Sequence, residues 1–422
     1  MTMSVDDRAA LQLRTLRVLA SGQVVGAAAL ASAVTVGAFV IQGMLGKNTP
    51  WAGAATATVT TGTAFMAQVL SRVMQRKGRR VGLECGYGVA VVGGLIAAWG
   101  VERNSLVIFV AGLFLYGNGQ AANLLSRYAA TDLAEPDERG AAMSRILFAS
   151  TFGAVMGPIL VGPMEHAGQS WFGLHKYTGP WLFSSLCFIG ALVNISIRLR
   201  PDPLVVSGGL TVAGQPKPPM SAAIRTIVGN PAARLAVTAM VISQMTMVAV
   251  MAMTPVHLKL HGHEGVSQYV ISLHIAGMYA FSPFVGRFAD RRGRFNTIFV
   301  GSIVLIAGTL MASLSGDVEQ LLFPSLWLLG LGWSFGIVGG SSLLIDSVTV
   351  ESRVSVQGVS DLLMSLCGGI AGFSSGFIRR AVGFHLLASF ATLAAGGLVV
   401  AASLAMRAKP SDRLAAADRY SG

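Results

Sequence analysis

The 422-residue chain is 53% hydrophobic and only 12% charged, with a mean hydropathy of +0.63, and so few charges cannot cover a water-soluble surface. Its formal charge of +12 falls between apolar runs, without the aromatic-plus-basic patches of a nucleic-acid surface. The expected class is an all-α polytopic membrane protein, with the lipid bilayer as partner and no nucleic acid.

Runs long enough to cross roughly 30 Å of hydrocarbon at about 20 residues each predict twelve spans. They lie near 18–43, 52–71, 81–100, 105–127, 141–164, 178–197, 235–257, 267–286, 296–315, 320–344, 356–378 and 382–406. The first is too long for the core of a cleavable signal peptide and has no small-residue cleavage site, so it reads as a span. Its polar residues are Gln23, Ser32, Thr35 and Gln42, with no buried acid. The fourth span offers Asn118, Gln120 and Asn123 before Arg127. Hydrogen bonds between helices account for these amides as well as substrate contact does.

Arg145 and Asp361 stand at equivalent depths of the fifth and eleventh spans, roughly 9 to 12 Å inside at 1.5 Å per residue. Buried charge is costly in lipid, so both are candidates for a coupling role or for a structural ion pair. With both termini cytoplasmic, all but six of the 31 Lys and Arg lie on the cytoplasmic side; the six are Lys47, Arg103, Lys176, Lys259, Arg379 and Arg380. The Pro/Gly-rich stretch 198–234 reads as a cytoplasmic linker between two six-span halves, 1–197 and 235–422.

A repeat supports that division. Ser71 to Arg80, SRVMQRKGRR, aligns with Gly286 to Arg294, GRFADRRGR, and the segment Asp132 to Arg139 aligns with Asp346 to Arg353 at nearly the same offset. The second-half segment resembles the loop signature of the major facilitator superfamily, G-x-x-x-D-R-x-G-R, carried here by Gly286, Asp290, Arg291, Gly293 and Arg294. The glycines suit a tight turn between spans, the arginines hold it in the cytoplasm, and Asp290 can pair with a neighbouring cation. In the first copy Ser71 and Gln75 replace Gly and Asp, so a carboxylate latch is expected in the second half. The resemblance implies a transporter of two pseudo-symmetric six-helix halves that works by alternating access.

In the fifth span, Gly153-Ala-Val-Met-Gly157-Pro158-Ile-Leu-Val161-Gly162 resembles the antiporter motif of drug exporters, although small residues four apart also simply bring helices together. The seventh span carries Met247 and Met251, and the eighth His274 and Met278. Each pair is spaced i, i+4 and so shares a helix face. Thioether suits Cu(I), while methionine is equally a filler of membrane cores. MxxxM with HxxxM resembles the CcoA-like copper importers. That resemblance implies copper as substrate and Met247, Met251, His274 and Met278 as its ligands. The alternative is a proton-coupled exporter of drugs or small metabolites.

His257, His261 and His263 flank the next turn with Glu264 as candidates for metal capture or as an ordinary solvated loop. Cys367 could be a later soft ligand, and Cys85, Cys187 and Cys367 offer no disulfide framework or zinc spacing. No GxxxxGK[ST] segment and no catalytic constellation occur, so neither an ATP-driven pump nor an enzyme is expected, and no cofactor. Richness in Arg, Ala and Gly predicts a bacterial cytoplasmic-membrane protein, expected as a monomer.

Overall fold

A computed structural model describes residues 5–134, 139–208, 220–316, 318–349 and 352–407. Among these the regular elements are all helical. They are α1 (Val5–Leu45), α2 (Ala54–Lys77), α3 (Arg79–Glu102), α4 (Leu106–Ala129), α5 (Arg139–Phe172), α6 (Thr178–Arg198) and α7 (Pro203–Val206). Then come α8 (Met220–Gly229), α9 (Pro231–Leu260), α10 (Ser267–Tyr279), α11 (Ser282–Arg292), α12 (Arg294–Leu314), α13 (Leu322–Asp346) and α14 (Arg353–Arg407). Among the described residues ten helical stretches are long and apolar enough to cross a membrane. Two more crossings complete the expected set. α2 is made more polar by Thr56, Thr58, Thr60, Thr61 and Thr63, and Thr60 and Thr63 return their hydroxyls to the helix's own carbonyls at 2.7 and 2.9 Å. α14 is two crossings divided at Gly383, whose φ of 87° no other residue adopts cheaply.

The chain reverses in the same way after α2 and after α11. Gly78 (φ 94°) and Gly293 (φ 88°) each separate two helices with a single residue. The repeat segments are therefore mostly helix: α11 runs through Arg292, since nothing from Phe284 to Arg292 interrupts it. Gly286 consequently lies inside a helix and makes no turn, contrary to expectation; the one turn glycine of that segment is Gly293. The expected eighth span is also divided, as α10 and α11, between Tyr279 and Ser282. Within 198–234 the described residues include two helices, and α8 seats Ala223 and Ile227 on the core. Asn230 then starts α9, its side chain accepting from the N–H groups of Ala232 and Ala233 with Pro231 at the first helical position.

One buried cluster draws only on residues from Leu16 to Leu199. Two others draw on residues from Ala223 to Ala402, joined by Ala38 and Ala52. Close helix contacts hold the first half together: a Cβ on Gly153 or Gly157 would strike the carbonyl oxygens of Val24 or Ala28 in α1. The drug-exporter-like stretch thus serves the α1–α5 contact. Between the halves, Ile271 and Ile275 of α10 pack on Ala27, Ala31 and Ala154, and Ser272 donates to the Val155 carbonyl at 2.6 Å. On the other side of the seam, α14 meets α2 and the turn before it, where a Cβ on Gly376 would strike the Pro50 carbonyl oxygen.

Candidate functional site

Polar and aromatic groups are concentrated along that seam. Asp361 of α14 accepts a hydrogen bond from the Tyr128 hydroxyl at 3.2 Å and lies 4.0 Å from Arg127 Nη2, both in α4 of the other half. Seven residues along α14, two turns on and so on the same face, Gly368 leaves room for Gln244 of α9, which a Cβ there would touch at 2.9 Å. The Gln244 Oε1 accepts from Trp333 Nε1 at 2.7 Å, and the Trp333 ring meets Tyr279 edge-on at 5.8 Å. Arg127, Asp361, Gln244, Trp333 and Tyr279 therefore follow one another around the seam, drawn from α4, α14, α9, α13 and α10.

Asp361, a candidate for coupling or for a structural ion pair, has Arg127 as its charged neighbour. Arg145, the other coupling candidate, is exposed and makes no ion pair among the described residues. The amides of the first half mostly bond within it. Tyr87 donates to Asn123 Oδ1 at 2.8 Å, Ser126 to Gln23 Oε1 at 2.8 Å, and Thr63 to Gln120 Oε1 at 3.3 Å. These are the helix-to-helix bonds that substrate contact was weighed against.

The four soft-ligand candidates share one buried region. Met247 and Met278 belong to an apolar cluster with Val250, Leu305, Leu326 and Leu329, and the half-buried Met251 packs on it. His274 is completely buried, and its Nδ1–H donates to the Leu326 carbonyl oxygen at 2.7 Å. That bond fixes the tautomer, and it leaves the Nε2 lone pair buried without a hydrogen-bond partner.

Of the capture set, His257 and His261 stand side by side and His263 lies apart. Among the described residues no three His, Cys, Asp or Glu side chains converge as a metal site. His257 is buried in the last turn of α9, stacked on Phe384 at 4.4 Å with His261 at 4.3 Å and His385 at 5.3 Å. Its helical position commits it to the end of the core, whereas His263 is exposed beyond the helix. Cys367 is partly exposed and free.

The repeat segments build matching charge contacts at the face where Gly78 and Gly293 turn. Arg79 holds Asp132 in a two-pronged pair at 2.8 and 3.0 Å. Arg294 bridges Asp290 at 2.6 Å and Asp346 at 3.2 Å. Asp290, the expected latch carboxylate, is ion-paired within the motif to Arg294. In the first half, where Gln75 stands instead, Asp202 takes the N–H of Arg80 at 2.7 Å. Gly286 and Arg291 are beside this contact in α11 without entering it.

At the opposite face the halves are bolted to one another. Glu264, ahead of α10, pairs with Lys176 at 3.1 Å and accepts from the Tyr177 hydroxyl at 2.5 Å, and Lys259 donates to Tyr177 at 2.8 Å. Burial and the Glu264 charge push the Tyr177 phenol above its ordinary pKa, so it stays a donor. Arg379 and Arg380 of α14 reach Asn48 at 3.0 and 2.7 Å. Lys176, Lys259, Arg379 and Arg380 stand out in the sequence only as exceptions to the charge asymmetry, with no signal there of their partners.

A model of the Major Facilitator Superfamily matches residues 19–373 and 259–418. The uncharacterized MFS-type transporter YdeG of Bacillus subtilis (strain 168) is 38% identical over 379 residues, 89% of this chain and 88% of its own. The riboflavin transporter RfnT of Brucella anthropi is 26% identical over 380 residues, 89% of this chain and 91% of its own. Among solved structures, the xylose transporter XylE from E. coli in a partially occluded inward-open conformation superimposes with a TM-score of 0.68 at 15% identity, covering 94% of this chain and 99% of that one.

Proposed function

The chain belongs to the major facilitator superfamily and is a multi-pass membrane transporter of that family, and we propose that it carries a small planar organic solute, of the flavin kind, along the seam between its halves. The observation that carries this reading is the run of Trp333, Tyr279 and Gln244 beside the Arg127–Asp361 pair. Aromatic faces offer stacking to a flat ring system, Gln244 offers amide hydrogen bonds, and the ion pair spans both halves, so it senses their relative position. A similar chain being a riboflavin transporter supports the same class.

The division at 198–234, a bacterial cytoplasmic membrane, cytoplasmic termini and a single-copy unit belong to this proposal. The termini rest on the Lys/Arg asymmetry, the division on the internal repeat and the Pro/Gly-rich stretch, and the bacterial membrane on the richness in Arg, Ala and Gly. Alternating access requires that the two faces open in turn, and the inter-half bonds at one face suit such a cycle.

Copper import is the second reading, favoured by one observation: the Nε2 lone pair of His274 lies buried without a partner near a methionine-containing cluster. A metal-ligating imidazole commonly donates its other ring N–H to a carbonyl, as His274 does. Against it, Met247 and Met278 are packed as core side chains, and neither relative named above is described as carrying a metal.

One set of vesicles tests both. Trp333→Phe and Gln244→Leu are expected to lower riboflavin flux by on the order of tenfold, the worth of a lost polar contact in a site, with copper flux absent throughout. Met247→Leu, Met251→Leu and Met278→Leu leave the flavin flux intact. Copper flux in wild type that vanishes in the leucine variants, with no flavin flux, overturns the organic-solute reading in favour of the metal.

A further inference from the structure

A cavity of about 570 Å³ opens on the flank of the molecule where α14 crosses α2 and α4. Trp51, Thr61 and Phe114 of the first half wall it on one side, and Ile370, Phe373 and Ser374 of the second half on the other. On α14 it extends from residue 366 to 374, about 12 Å along the axis, which is less than half the roughly 30 Å of a hydrocarbon core. Apart from a few hydroxyls its lining is aliphatic and aromatic, and Ile370 is 64% exposed in it.

The end of the groove toward Gly383 is different in kind. Trp51, 47% exposed, packs edge-on against Phe373 at 5.6 Å and Phe377 at 5.5 Å. Two turns beyond Phe373, on the same face of α14, stands the exposed Arg380. One of its nitrogens donates to the Asn48 carbonyl at 2.7 Å, and its other N–H groups make no hydrogen bond among the described residues. That bond sets it against the loop carrying the exposed Lys47. A cationic head, an aromatic collar and an apolar trough follow in the order of a phospholipid's own parts.

We infer that this groove seats one phospholipid with an anionic headgroup, its phosphate on Arg380 and Lys47 and one acyl chain between α2, α4 and α14. The charge at the mouth and the apolar trough within membrane depth commit the site to that occupant. Because the two walls belong to different halves, the seat exists in this arrangement only while the halves are closed at the Arg380 end. The bound lipid therefore favours that arrangement, whatever solute is carried.

The full-length protein, released from micelles holding 1-palmitoyl-2-oleoyl phosphatidylglycerol or its phosphatidylcholine counterpart, tests this by native mass spectrometry. Wild type is expected to retain one phosphatidylglycerol about fivefold better than phosphatidylcholine, the effect of roughly one basic residue at an anionic surface. Arg380→Gln loses the preference. Lys47→Gln reports the same headgroup contact from an exposed loop should the arginine variant not fold. Ile370→Trp fills the trough from an exposed position and loses retention of both lipids with thermal stability unchanged. Equal retention of the two lipids by wild type, or undiminished retention by Ile370→Trp, overturns the assignment.

Discussion

Arg79 and Arg294 occupy equivalent places in the two repeat segments, yet their ion pairs differ in how far they are from water. Asp132 is 9% exposed and Arg79 16%, and both oxygens of the carboxylate are engaged. Asp346 is 55% exposed and Arg294 is shared with Asp290. Removing one member of a desolvated pair strands a charge at a cost of about 3 to 5 kcal/mol, whereas an exposed pair contributes about 1 kcal/mol or less. Asp132→Asn should accordingly lower the unfolding temperature in detergent well below wild type, and Asp346→Asn should barely move it. Equal shifts would mean that the two contacts are equivalent in energy as well as in sequence. Both aspartates were visible in the sequence as repeat markers. Their pairing with Arg79 and Arg294 was not, because the partners are 53 and 52 residues away and meet only when α2 to α5 and α11 to α13 pack.

Helix ends carry the next lesson. The signature GRFADRRGR was legible as a repeated segment, but its two glycines do opposite work, which composition alone does not distinguish. Gly293 sits at φ 88° between α11 and α12, with nothing within 4 Å of an added Cβ, so the backbone alone demands glycine. Gly293→Ala is expected to destabilise by about 1 to 3 kcal/mol, the cost of a non-glycine residue in that region. Gly286 is helical and also has open space around an added Cβ. Gly286→Ala is expected to stabilise by up to about 1 kcal/mol through helix propensity. Thermal unfolding of the two single variants decides it, and shifts of the same sign would refute the division of roles. The twelve crossings themselves were readable from apolar run length, and the limits drawn near 378 and 382 both fall within five residues before the break at Gly383. The split of the eighth crossing at Ala280 and Phe281 has its mark just beyond, in Pro283, which stands in the first turn of α11 and has no N–H to donate back to α10.

For the molecule as a whole, the sequence revealed two repeated halves but not which face holds them together. That information lies in pairs far apart along the chain: Lys176 and Tyr177 with Glu264, and Asn48 with Arg379 and Arg380. The same holds for the seam, where Arg127 and Asp361 are 234 positions apart. Tyr177 is held at a φ of 72°, a left-handed conformation that a tyrosine adopts only when its surroundings compensate. The compensation is its hydroxyl bond to Glu264, the Lys259 bond and a ring contact with Phe39 at 5.8 Å. Glu264 is therefore the group through which two cations and a tyrosine favour closure at this face. Glu264→Gln removes the charge that Lys176 and Lys259 share, and a ligand-free equilibrium between closed and open forms shifts toward open by the interaction lost. Spin labels at the exposed positions Trp171 and Tyr269, one on each half, should show a longer mean distance in the variant. Glu102→Gln provides the control, since Glu102 bonds His175 and Thr178 of its own half at 2.7 and 2.5 Å and should leave that distance unchanged. If Glu264→Gln leaves the distance distribution as in wild type, closure depends on the Asn48 contacts and the packing of α2 on α14 instead. If Glu102→Gln lengthens it equally, the effect is a general loosening of this face rather than the release of a bond between the halves.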